Sequence, residues 1–132
     1  MILLDTQAAI WFITDSGLGK RSQAMADKAL ADDGLAISAI TFWEIALLIT
    51  KGRLRAVESA SEMRRQVLDS GVAELALSGD IALRAVGLGN LPKDPADRFI
   101  VATAIDHGAM LMTADKQLLN WKHPLRRQDA ER

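Results

Sequence analysis

Lys93-Asp94-Pro95-Ala96-Asp97-Arg98-Phe99-Ile100-Val101-Ala102-Thr103-Ala104 is the stretch around which the rest of the chain is read. Asp94 stands where a helix N-cap belongs. Pro95 fits the first helical position, and Asp97 falls at the third. The run from Phe99 to Ile105 is almost wholly apolar, so the spacing predicts a deeply buried helix with two acids at its mouth. Such a helix either is simply well capped or carries its acids for a metal. Asp97 alone does not choose between these.

Outward from this helix, short apolar runs alternate with helical patterns. Ile2-Leu3-Leu4 reads as a buried strand, stopped at Asp5, with a helix over Thr6 to Thr14 behind it. Lys20 to Asp33 carries Met25, Ala29 and Leu30 at helical spacing and ends at Gly34. Leu35-Ala36-Ile37 is the second strand, closed by Ser38, and Ile40 to Thr50 is a helix containing Glu44. A basic turn, Lys51 to Arg55, leads to an amphipathic helix over Glu58 to Ser70. Val72 to Leu77 is a third strand, and Ser78 caps a helix over Gly79 to Val86. A loop over Gly87 to Pro92 precedes the central helix. Ala109 to Met112 is a fourth strand, followed by a helical turn over Lys116 to Leu119. The charged tail from about Arg126 to Arg132 is expected to fray. Strands alternating with helices predict an α/β domain: a short central parallel sheet flanked by helices, in one unit over residues 1–132.

Composition agrees with one folded domain. The chain has 132 residues, 49% of them apolar, which is enough for a core and too many for a disordered protein. It has no cysteine, which excludes a disulfide framework, a thiol nucleophile and a thiolate metal site, and fits a reducing cytoplasm. Met1-Ile2-Leu3-Leu4-Asp5 lacks a basic signal-peptide start, and no run approaches the ~20 apolar residues of a membrane span. The formal net charge of −1 argues against avid, nonspecific nucleic-acid binding.

Four acids fall at the same kind of place. Asp5 follows the first strand, Asp115 follows the fourth, Glu44 lies in the helix after the second, and Asp97 opens the buried helix. Loops after the strands of a parallel sheet gather at one edge, where sites form. Each acid also has a plain reading: Asp5 and Asp115 as caps, and Asp94 with Asp97 as a capping pair. Glu44 is less easily explained that way. Its helical neighbours Ile40, Leu47 and Leu48 are apolar and only Thr41 is polar, so Glu44 either sits on a solvated outer face or, since a buried unpaired carboxylate is costly, is better explained by a ligand or metal. Clustered carboxylates stay ionised together only around a cation. An oxygen-only donor set favours a hard ion such as Mg²⁺ or Mn²⁺, whose common task with acids is phosphodiester cleavage.

Leu3-Leu4-Asp5-Thr6-Gln7-Ala8, Ser38-Ala39-Ile40-Thr41-Phe42-Trp43-Glu44-Ile45-Ala46, Asp94-Pro95-Ala96-Asp97-Arg98-Phe99-Ile100-Val101-Ala102 and Leu111-Met112-Thr113-Ala114-Asp115 together resemble the PIN-domain ribonucleases. The nearest likeness is to the VapC-type toxins of type II toxin–antitoxin pairs. The resemblance covers nearly the whole chain in order. It implies a single PIN-like domain and a Mg²⁺-dependent endoribonuclease, with Mn²⁺ as a substitute. Asp5, Glu44 and Asp97 match the family's three core acids, and Asp115 matches its more variable fourth. Asp5 and Asp97 are implied as direct metal ligands. Glu44 would bind metal directly, through water, or position the attacking water, and Asp115 would complete the cluster or hold a second ion. Asp94 matches the capping position. Thr6, Ser38 and Thr113, beside the acids, are either hydrogen-bonding supports or caps. The implied chemistry is direct hydrolysis of RNA by metal-activated water. The implied partners are RNA, a small cognate antitoxin and a second copy in a homodimer, in the cytoplasm with no membrane.

Neither His107 nor His123 lies in these motifs, which argues against paired-histidine ribonuclease chemistry. Lys51, Arg53 and Arg55 are either RNA phosphate contacts or a solvated turn. Arg98 is placed to pair with an acid or a phosphate. Trp43 and the Trp11-Phe12-Ile13 patch read mainly as packing. A phosphoacceptor receiver domain would want paired acids after the first strand, where this chain has Asp5-Thr6-Gln7. An Asp-x-Asp phosphatase fails at Gln7. The alternative from another class is a PIN-like scaffold with weak catalysis that acts by protein binding.

Overall fold

Ile2–Leu4 (β1) forms the centre of a five-stranded parallel sheet in the order β3-β2-β1-β4-β5. A computed structural model of the chain describes residues 1–55, 58–91 and 93–132. Leu35–Ser38 (β2) pairs with β1 on one side, with Leu3 opposite Ala36. Met110–Thr113 (β4) pairs on the other, with Leu3 opposite Leu111. Ala73–Leu75 (β3) adds to β2, and Arg127–Asp129 (β5) adds to β4. The chain thus winds outward from β1 in one direction and then returns to wind in the other. The reversal lies between β1 and β4, which is where such sheets open a crevice beyond their carboxyl ends.

Period-two alternation builds a core on each face. Leu4, Ile37 and Met112 point into the larger core, with Ala8, Ala9 and Ile10 of Thr6–Thr14 (α1), Ala26 of Lys20–Ala31 (α2), Ile45 of Ala39–Thr50 (α3) and Met63 of Ala60–Asp69 (α4). Leu3, Ala36 and Leu111 point the other way. They meet Ile100, Val101 and Ala104, and Gly79–Val86 (α5) lies alongside Pro95–Asp106 (α6). Two of the residues read as caps start their helices as expected. The Asp94 carboxylate accepts from the Asp97 N–H at 3.1 Å with Pro95 in the first turn, and Ser78 accepts from the Ile81 N–H at 3.2 Å. Each such cap stabilises its helix by about 1 kcal/mol.

Element ends differ from expectation by a residue or two: β3 is shorter than Val72–Leu77, and α4 begins at Ala60 behind a Ser59 cap. The loop expected over Gly87 to Pro92 is seen up to Leu91, and Pro92 lies outside the described residues.

The tail is the main correction. The segment expected to fray forms β5, Ala130 is fully buried, and the Ala130 N–H donates to the Thr113 carbonyl at 2.9 Å. The Arg127 guanidinium donates to the carbonyls of Leu118, Trp121 and His123 at 2.6–2.8 Å. The Arg132 carbonyl accepts from the Arg21 and Ser22 N–H groups at the start of α2. Charged side chains on an edge strand do not prevent pairing when their heads find such partners.

Candidate active site

Asp5 ends β1, and its backbone N–H donates to the Met112 carbonyl at 3.1 Å, which fixes it beside β4. Its carboxylate caps α1 through the Ala8 N–H at 2.9 Å. Asp115, beyond β4, caps the short helix Lys116–Leu119 (α7) through the Gln117 N–H at 2.8 Å. Because α6 precedes β4, its N-terminus opens at this same sheet edge, and Asp97 comes with it. Glu44 reaches in from the second turn of α3. Asp5, Glu44, Asp97 and Asp115 therefore line one cavity of about 330 Å³, together with Thr6 and Gln7 among others. The capping and cavity-lining readings are both true of Asp5 and Asp115.

The electrostatics are uneven. Burial pushes Asp5 up to about 6, against the lowering effect of the Thr113 hydroxyl and the Ala8 N–H, with the charges of Asp115 and Glu44 adding to the rise. Asp97 is pushed up to about 7 by burial, then by its neighbour Asp94, with Lys93 opposing and Glu44 reinforcing. Glu44 is raised by burial, tempered by the Thr6 hydroxyl, which donates to it at 2.5 Å. Asp115 goes the other way. Burial raises it, but the Lys93 ammonium and the α7 N–H groups outweigh burial and hold it below its usual value.

Sequence reasoning missed Lys93. Its ammonium contacts the Asp115 carboxylate and lies 3.8 Å from Asp97. The contact spans 22 positions, so no local pattern announces it. Among the described residues, no three acids or histidines are disposed to hold a metal ion as they stand. The donor set still suits a hard divalent cation: it is all carboxylate oxygen, three of its acids are driven toward protonation by burial, and a side-chain cation is already drawn to two of the four.

Other candidates resolve individually. Thr6 supports Glu44 and lies 3.2 Å from the buried Thr41 hydroxyl, Thr113 supports Asp5, and Ser38 caps α3. Among the described residues Arg98 pairs with no acid: its guanidinium fastens the end of α5 through the carbonyls of Ala85, Val86 and Leu91. His107 closes α6, and His123 stacks on Trp121. Neither lines the cavity. Trp43, read as packing, is instead 55% exposed. It lines a neighbouring groove of about 500 Å³ with Ile40, Leu47 and Phe99, and Lys51 and Arg53 also border it.

Comparison with known proteins agrees with the fold. Residues 2–123 match the PIN domain family. The chain is 34% identical over 125 residues to Ribonuclease VapC22 of Mycobacterium tuberculosis, covering 93% of each protein. A toxin–antitoxin complex from Klebsiella pneumoniae contains a chain 25% identical to this one, with a TM-score of 0.63, covering 92% of this chain and 93% of that one. A chain of VapBC2 from Rickettsia felis, 19% identical, has the same fold, with a TM-score of 0.68 and coverage of 97% and 98%. The sheet order and these likenesses agree: the chain belongs to the PIN-domain family and is similar to its VapC members.

Proposed function

We propose that the protein is a Mg²⁺- or Mn²⁺-dependent endoribonuclease that hydrolyses RNA at the cavity lined by Asp5, Glu44, Asp97 and Asp115. The observation that carries this reading is the arrival of four acids from distant parts of the chain at one cavity. Asp5 and Asp97 would hold the ion directly. Glu44, oriented by Thr6, would bind or position water, and Asp115 would complete the set. A divalent ion in such a site supplies a nucleophilic water at neutral pH and neutralises phosphate charge. The Asp5 carboxylate is braced by its cap to α1, and Asp97 is carried on the capped first turn of α6, where its backbone N–H donates to Asp94. Lys51 and Arg53, at the adjoining groove, would hold RNA phosphates. A small antitoxin would block the site, and the toxin would act as a homodimer in the cytoplasm. The similar chain from Klebsiella pneumoniae comes from a toxin–antitoxin complex, which supports the antitoxin. Among the described residues no helix is long and apolar enough to cross a membrane.

The test is RNA cleavage by the purified, antitoxin-free chain with Mg²⁺ or Mn²⁺, beside EDTA and Asp5→Asn controls. Loss of cleavage in both controls is expected, with linear phosphate ends on the products. Cleavage that survives Asp5→Asn, or 2′,3′-cyclic phosphate ends, overturns the reading. The weak-catalysis scaffold would instead show neither cleavage nor Mn²⁺ binding.

A further inference from the structure

Lys93 is used by neither the resemblance nor the proposed reaction, yet it is the cation closest to the acids. It precedes the Asp94 cap, and its backbone N–H donates to the Leu91 carbonyl at 2.8 Å. Its side chain is only 15% exposed. The ammonium contacts Asp115 Oδ2, with Gln117 Oε1 at 3.4 Å and Asp97 Oδ2 at 3.8 Å. Both oxygens of Asp115 are thereby engaged, because Oδ1 accepts from the N–H groups of Gln117 and Leu118. Two carboxylates from different elements share one side-chain cation.

We propose that Lys93 is a tethered counter-cation of the acid cavity, which holds Asp115 and Asp97 in the metal-free protein and must release them when a divalent ion enters. This rests on the reading of the acids as the metal site. The argument is one of charge and reach. Half-buried carboxylates this close together need a positive charge among them. A lysine ammonium is compact and rides on a flexible four-carbon stem, so it can supply that charge and withdraw. A divalent ion brings twice the charge and several coordination bonds, so it displaces the ammonium, but only after breaking a partly shielded ion pair. Lys93 is thus a positioning residue that sets how tightly the ion is held.

The test is Mn²⁺ titration calorimetry on the EDTA-stripped, full-length chain, with thermal melts of the metal-free protein. The variants are Lys93→Met, Lys93→Arg, Asp97→Asn and, as a charge control, Lys116→Met. The Lys116 ammonium pairs with Asp129, outside the cavity. A charge this close shifts a carboxylate by about one to three pK units, so Lys93→Met should tighten Mn²⁺ binding about tenfold. It should also lower the metal-free melting temperature, while Lys93→Arg stays near wild type and Lys116→Met does not change affinity. Should Lys93→Met fail to fold by circular dichroism, Lys93→Gln carries the same comparison. Affinity unchanged or weakened by loss of the ammonium, or raised equally by Lys116→Met, overturns the proposal and leaves the metal site standing. Wild-type affinity in Asp97→Asn, or no Mn²⁺ binding by any variant, removes the metal site and the proposal together.

Discussion

Asp5 and Asp115 hold equivalent positions and behave as opposites. Each follows a parallel strand, each caps the next helix with its carboxylate, and their strands are neighbours in the sheet. Yet Asp5 is pushed up to about 6, whereas Asp115 is held below its usual value. Local structure accounts for only part of the difference: the Asp115 cap accepts from two N–H groups, of Gln117 and Leu118, and the Asp5 cap from one, of Ala8. Asp5 is buried at the centre of the sheet with other carboxylates as its charged neighbours, and only a hydroxyl and its own cap help it. Asp115 sits nearer the sheet edge, where Lys93 reaches it. A backbone design repeated twice is thus divided into a reluctant anion and a ready one by burial on one side and a lysine on the other. The reluctant anion has more to gain from a metal ion.

The largest effect should come from Asp5→Asn. Asparagine still caps α1, so the fold should persist, while kcat/KM for RNA cleavage should fall about hundredfold or more, as removal of an electrostatic group at the reacting centre does. Equal loss in a well-folded Asp115→Asn protein would break the comparison, because the ready, already-paired acid should matter less, by about tenfold. The electrostatic contrast is checked by pH. Asp5 and Asp97 have folded values above the ordinary 3.8, so the stability they contribute is fully present below about pH 4 and is lost as pH rises through about 6 and 7. The melting temperature of metal-free Asp97→Asn relative to wild type should therefore climb by a few degrees between about pH 4 and 7. A flat difference would mean that burial does not govern this carboxyl. The smallest effect should be that of Thr6→Val, which removes the hydroxyl donating to Glu44. One hydrogen bond of about 1 kcal/mol corresponds to about fivefold in cleavage rate, with no change in metal stoichiometry.

The parts of the molecule legible in the sequence are those set by local chemistry and period. Asp94-Pro95, Ser38, Ser78 and Asp115 announce helix starts because capping is a matter of adjacent residues. Alternating short apolar runs announce a parallel sheet, and its switch point explains why acids after β1 and β4 share a cavity. What escaped depends on distant partners. Arg127-Gln128-Asp129 has no apolar alternation, so its strand is visible only once β4 offers an edge and Leu118, Trp121 and His123 offer carbonyls. Arg98 beside Asp97 looked like a site residue and is instead a fastener of α5, because the carbonyls it satisfies belong to another helix. Trp43 on an apolar helix looked like core, yet it faces a groove rather than the sheet.

The central place of β1 has a consequence for the timing of synthesis. Ile2 is made more than a hundred residues before Met110, with which it pairs, and β4 in turn is closed by Arg127–Asp129. A sheet assembled from such separated pieces folds slowly and only after its late strands exist. Asp5 has no Asp97 or Asp115 beside it until those later residues have been made. The acid cavity therefore cannot assemble before α6, β4 and Asp115 have all been made.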